Sequence, residues 1–260
     1  MARFIMNYLS PKALIATVVF AISFVFLSRV GGWFGALFWV AVILAAAHLA
    51  IRGAPRIGDA DVSRFTVSVP FYLGMLGFVT LFALVEKPAL RWGIMALAVF
   101  VVFVVLHTLY RSNVPETFRP RFLLPIMRMT LYAGVYGLFT ATFGFMTLVQ
   151  LPIWLGTLAV LAVAGLASWS LLRLAGVGND RAYPAALVIT LLTFELFWVT
   201  TFFPVGYAVQ GWLLGGSFYA LVQGVMLRFH ETGRLERRSR ARLIAAVIAI
   251  AFVALAARWV

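Results

Sequence analysis

The chain has 260 residues, of which 64% are hydrophobic and 11% charged. A soluble domain runs at about half apolar and about a quarter charged, and disorder requires low hydrophobicity, so both classes are excluded. With a mean hydropathy of +1.03, the remaining class is an all-α, polytopic membrane protein.

Eight acidic residues, three histidines and no cysteine leave little material for catalysis. The missing cysteines remove disulfides, thiolate metal sites and thiol nucleophiles together. The net charge of +13 would suggest nucleic acid in a soluble protein. Here most cations lie in short breaks between apolar runs, where they mark membrane topology instead, and no nucleic-acid partner is expected.

A spanning helix needs about 20 mostly apolar residues to cross about 30 Å of hydrocarbon. Nine segments qualify, at 11–29, 32–51, 67–86, 91–110, 124–149, 153–173, 184–203, 206–228 and 243–259. The polar breaks are short, so residues 1–260 are expected to form a single transmembrane domain. The first segment follows Arg3 and Lys12 as a signal peptide would. It ends in Phe24-Val25-Phe26-Leu27-Ser28-Arg29, which lacks a small-residue cleavage site, so it is read as a retained helix.

With the N-terminus inside, 17 of the 21 Lys and Arg residues fall on the inner side. The outer set is Arg29, Lys87, Arg91 and Arg258. This bias places the N-terminus in the cytoplasm and the C-terminus, after nine spans, outside. The expected location is a bacterial or archaeal cytoplasmic membrane.

The odd-numbered segments open near Pro11, Pro70, Pro125 and Pro184, spaced 59, 55 and 59 residues apart. Proline is tolerated in a first helical turn, where its missing N–H would be unpaired anyway. The even-numbered segments open near Trp33, Trp92, Trp154 and Trp212 and close at Arg52, Arg111, Arg173 and Arg228. The pattern is a hairpin repeated over 11–52, 70–111, 125–173 and 184–228, followed by a final helix at 243–259. Either duplication of a hairpin or the common anchoring of Trp and Arg at interfaces produces it.

Glu195 is the one acidic residue deep within an apolar run. Eleven residues beyond Pro184, at about 1.5 Å per residue, it is expected near the midplane. A carboxylate there costs about 2.5–3.5 kcal/mol on insertion scales, so it is expected to face the bundle and find a partner. Counting depth along the neighbouring segments makes Tyr136, Ser217 and Tyr219 the candidate partners. His48 and His107 each precede a closing Arg by four residues. They could ligate a haem, yet histidine also suits an interface without a ligand. No cofactor or metal is expected.

Arg228, Arg234, Arg237, Arg238, Arg240 and Arg242 form a basic juxtamembrane cluster. Such a cluster attracts anionic lipid headgroups at about 1 kcal/mol per charge. Gly211 with Gly215 and Gly137 with Ala141 are small-residue pairs that permit close helix approach. Gly176 to Asp180 reads as a loop between helices, without the Lys-Ser/Thr ending of a phosphate-binding loop.

The expected function is a non-catalytic subunit or scaffold of a membrane complex, in contact with anionic lipid and membrane-protein partners. One alternative is a proton-coupled or small-solute transporter built on Glu195. A second is a membrane enzyme acting on a lipid-like substrate.

Overall fold

The computed structural model describes residues 17–19, 21–22, 64–110, 119–229 and 233–257. The described residues are helical or in turns, without strands. Among the described residues, seven long helices follow one another: α1 (Arg64–Leu84), α2 (Pro88–Tyr110), α3 (Arg119–Leu148), α4 (Ile153–Leu174), α5 (Asn179–Thr201), α6 (Tyr207–Phe229) and α7 (Gly233–Ala256). They correspond to the third through ninth expected segments. Residues 17–19 and 21–22, inside the first expected segment, are helical; the segment at 32–51 lies outside the described residues.

Among the described residues, four stretches are long and apolar enough to cross a membrane: Pro88–His107, Leu123–Leu148, Ile153–Leu174 and Asn179–Thr201. Ser68–Leu84 and Leu243–Ala256 are apolar but shorter. Helix α6 matches α5 in length, but Gln210, Gln223 and its glycines dilute its hydropathy.

Five helices begin earlier than hydropathy suggests, two of them within stretches that carry more than one arginine. The backbone is already helical from Arg119 in α3 and from Gly233 in α7. Arg234, Arg237, Arg238, Arg240 and Arg242 therefore lie on the first turns of a helix rather than in a loop. Arginine is a good helix former, and hydropathy marks the edge of the hydrocarbon rather than the end of the hydrogen-bonded backbone. The prolines shift for the same reason. Pro70, Pro125 and Pro184 lie inside α1, α3 and α5, in the second turn rather than the first, where each removes a helical hydrogen bond.

The chain divides into two compact units, Met1–Thr130 and Leu131–Val260. In the first, α1 packs on α2. Their connection is short, with Pro88 at the first helical position of α2, where its fixed φ suits the start of a helix. Arg91 turns back so that its Nε donates to the Val85 carbonyl, and its guanidinium lies 5.8 Å from the centre of the Phe82 ring. Gly74 faces Thr130, and a Cβ there would come within 3.1 Å of the Thr130 carbonyl oxygen.

In the second unit, α4 packs on α5, α5 and α4 on α6, and α6 on α7. The α4–α5 connection is a Schellman turn. Gly176, at φ 86°, donates to the Arg173 carbonyl at 3.0 Å, and Val177 donates to Leu172 at 3.0 Å. Glycine takes this left-handed conformation without a Cβ penalty. Arg173 Nη1 then donates to the Val177 carbonyl at 3.0 Å. The break expected over Gly176 to Asp180 is confined to Gly176, Val177 and Gly178, and Asn179 and Asp180 already belong to α5.

Small residues set the α4–α5 spacing. Ala164, Ala167 and Ser168 on α4 are buried, as are Ala182 and Ala186 on α5. Ser168 Oγ donates across the pair to the Ala186 carbonyl at 3.4 Å. Close backbone approach of this kind replaces the hydrophobic effect as the driving force for helix packing in lipid.

Candidate functional site

The four intramembrane candidates separate into three places. Tyr136 and Tyr219 belong to the contact between α3 and α6. A Cβ on Gly211 would come within 2.5 Å of the Thr140 Cα, and one on Gly215 within 3.4 Å of the Tyr136 ring. One small-residue pair of α6 thus meets α3 directly, and Gly137 and Ala141 of α3 are themselves buried. The absent side chains are what allow the two backbones to approach.

One to two turns further along this contact, Tyr219 stacks edge-on against Tyr132, with ring centres 4.7 Å apart. Gln223, only 5% exposed, donates its Nε2–H to the Tyr132 hydroxyl at 3.2 Å. Tyr132 and Gln223 were not singled out from the sequence. Their signal was available in principle, because a glutamine inside an apolar span must find a partner. Gln210 is a second case. It is buried, and its Nε2 donates to the carbonyls of Thr200 at 3.1 Å and Phe203 at 3.2 Å. These carbonyls lie at the C-terminal end of α5, where intrahelical donors run out.

Ser217 occupies a different place, the floor of an open groove between α5, α6 and α7. Arg228 lines the same groove and is exposed.

Glu195 differs from expectation in two respects. Helix α5 starts five residues before Pro184, so Glu195 lies about 24 Å from its first residue and about 9 Å from its last. It is therefore off-centre. It is also exposed rather than turned into the second unit. The reason is the rotation of α5. Ala186, Ile189, Thr190, Thr193, Phe197 and Thr200 are buried at intervals of three and four residues, and Phe197 packs on Phe143 with ring centres 5.3 Å apart. Glu195 is two residues from both Thr193 and Phe197, about 200° round the helix from each.

The threonines on the buried stripe are satisfied within their own helix. Thr190 Oγ1 donates to Ala186, and Thr193 Oγ1 to Ile189, each at 2.7 Å. They offer Glu195 no free donor. Around Glu195 the exposed face of α5 is apolar, with Leu187, Val188, Leu191, Leu192, Val199 and Phe202.

Trp92 and Trp154 are each 59% exposed near the starts of α2 and α4, the arrangement expected of interfacial anchors. His107 stacks on Phe103 with ring centres 5.6 Å apart. Its expected counterpart His48, along with Pro11, Trp33, Arg52, Arg111 and His230, lies outside the described residues. Among the described residues no cluster of three metal-ligating side chains occurs.

Comparison with protein families, with curated proteins and with solved structures finds no match to this chain.

Proposed function

We propose that the protein is a non-catalytic subunit or scaffold of a membrane complex, with nine spans, its N-terminus inside, and a partner helix seated on the outer face of α5. The observation that carries this reading is the exposed Glu195 in the middle of an apolar face. An ionisable group in a spanning segment is costly against lipid, so such groups turn toward protein or water. The packing of α5 within its own unit directs Glu195 outward. In this proposal a second protein supplies the cover. The chemistry of the face defines that partner as an apolar membrane helix carrying a hydrogen-bond donor or a cation at the depth of Glu195.

The transporter alternative requires a wet path to the carboxylate. Glu195 does not line the groove between α5, α6 and α7, so that groove lends the alternative no support.

The test is photo-crosslinking in native membranes from positions 191 and 199, which flank Glu195 by one turn on either side. A discrete protein adduct is expected at both positions, and Glu195→Leu should abolish it. Adducts with lipid alone at both positions would sink the proposal.

A further inference from the structure

The groove floored by Ser217 and Arg228 has a volume of about 790 Å³, in the range of sites that hold a small apolar ligand. Its floor is a single stripe of α6. Ser217, Ala220, Gly224 and Arg228 follow one another at three- and four-residue spacing, which places them on one helix face. Val188 and Leu196 of α5 form one wall, and Leu243 and Val247 of α7 form the other. The small floor residues create the space. A Cβ added to Gly224 would meet nothing within 4 Å.

The two ends of the groove differ. At the Ser217 end α6 and α7 touch, and a Cβ on Gly216 would come within 2.9 Å of Ile250 Cγ1. At the other end stands the exposed guanidinium of Arg228, one residue before the end of α6. From Ser217 to Arg228 is eleven residues, or about 16 Å along the helix. That is close to half of a hydrocarbon core of about 30 Å. With α6 spanning a membrane, a groove of this length reaches from one surface about halfway across the hydrocarbon and stops.

We infer that this groove holds an acyl chain of an anionic phospholipid, with the lipid phosphate on Arg228 and the chain end against the Gly216–Ile250 contact. A spanning helix is the wrong occupant, because it needs a surface running the full thickness and α7 closes this one halfway. A single-leaflet chain has the right length. Lipid tails are as apolar as the groove walls, so enclosure alone does not select one lipid over another. A guanidinium binds the phosphate oxygens of any phospholipid through paired, charge-assisted hydrogen bonds, and selection comes from net headgroup charge, because a zwitterionic headgroup sets its own cation against Arg228. A net negative lipid also interacts more favourably with the basic turns that open α7 than a zwitterionic one does. The inference rests on α6 spanning a membrane, but not on a partner at Glu195.

The experiment is native mass spectrometry of the full-length protein in mild detergent, with dioleoyl phosphatidylglycerol and dioleoyl phosphatidylcholine supplied in equal amounts. One phosphatidylglycerol molecule should be retained over phosphatidylcholine by on the order of tenfold. Arg228→Gln should bring the two lipids near parity while lipid is still retained. Gly224→Leu fills the floor and should remove the retained lipid of either kind, with helical content and elution volume unchanged. If that variant does not fold, Val247→Trp obstructs the groove from the opposite wall. Inorganic phosphate should not compete with the bound lipid, because it has no chain to fill the groove. Unchanged lipid retention in the groove-filling variants, or an unchanged preference in Arg228→Gln, would overturn the inference. So would a wild-type dimer that Gly224→Leu converts to a monomer, since a second copy would then be the occupant. Glu195→Leu should leave lipid retention unaltered, which separates failure here from failure of the partner proposal.

Discussion

Gln223 of α6 donates a hydrogen bond to the hydroxyl of Tyr132, a residue 91 positions earlier on α3, at 3.2 Å. With Tyr219 edge-on to the same tyrosine, this pair is a polar bridge between two helices. Interhelical hydrogen bonds in membrane proteins contribute about 0.6 kcal/mol on average and up to about 1.7 kcal/mol, because the separated helices find other partners. A double-mutant cycle over Gln223→Leu and Tyr132→Phe should give a coupling energy in that range, read by reversible unfolding in mixed micelles. A coupling indistinguishable from zero would mean that the bridge does not hold α6 on α3.

Gly211 and Gly224 lie on the same helix and should respond oppositely to the same change. A leucine at Gly211 would drive into the Thr140 backbone, and such overpacking costs about 1–3 kcal/mol. At Gly224 a Cβ meets nothing, and removing a glycine from a helix interior gains up to about 1 kcal/mol of propensity. Unfolding midpoints should therefore fall for Gly211→Leu and hold or rise for Gly224→Leu.

Gln210 closes the C-terminal end of α5 through the Thr200 and Phe203 carbonyls. Gln210→Leu leaves those carbonyls without this donor, at a cost of about 1–3 kcal/mol if water cannot replace it. Amide exchange should accelerate at Phe202 and Phe203, whose N–H groups bond within the same turn, while the Schellman turn at Gly176 stays protected.

Glu195→Leu should separate stability from assembly. In the isolated protein the substitution removes a carboxylate from an exposed apolar face, so stability in nanodiscs should hold or rise by about 1–2 kcal/mol, less than the full cost at a helix centre. Copurification of a partner should fall. A large loss of stability in the isolated protein would show instead that Glu195 serves the fold itself.

Hydropathy was a dependable guide to where the described helices lie and a poor guide to where they begin. The segments expected at 153–173 and 206–228 correspond to Ile153–Leu174 and Tyr207–Phe229. The segment expected from 243 starts ten residues earlier, at Gly233. An arginine-rich turn is excluded from hydrocarbon but not from a helix, so only the first property is visible in hydropathy. The glycine pair at 211 and 215 was legible as a close-approach surface, although its partners Thr140 and Tyr136 were not, because spacing along one helix carries no information about the residue across from it.

Composition alone determined that the chain is built from apolar helices, because the balance of hydrophobic to charged residues permits no soluble core. Position along the sequence marked Glu195 as an anomaly, since a carboxylate deep in an apolar run is expensive wherever its helix turns. Which way the helix turns was a matter for tertiary structure. Helices that are apolar on every side have no polar face to distinguish inside from outside. On α5 the decision falls to shape: Ala182 and Ala186 allow α4 to come close, Ser168 reaches the Ala186 carbonyl, and Phe197 seats against Phe143. With those contacts made, Glu195 is carried to the opposite face. The same logic left Gly224 facing empty space while Gly211 met Thr140, so one helix carries both a close contact and the floor of a groove.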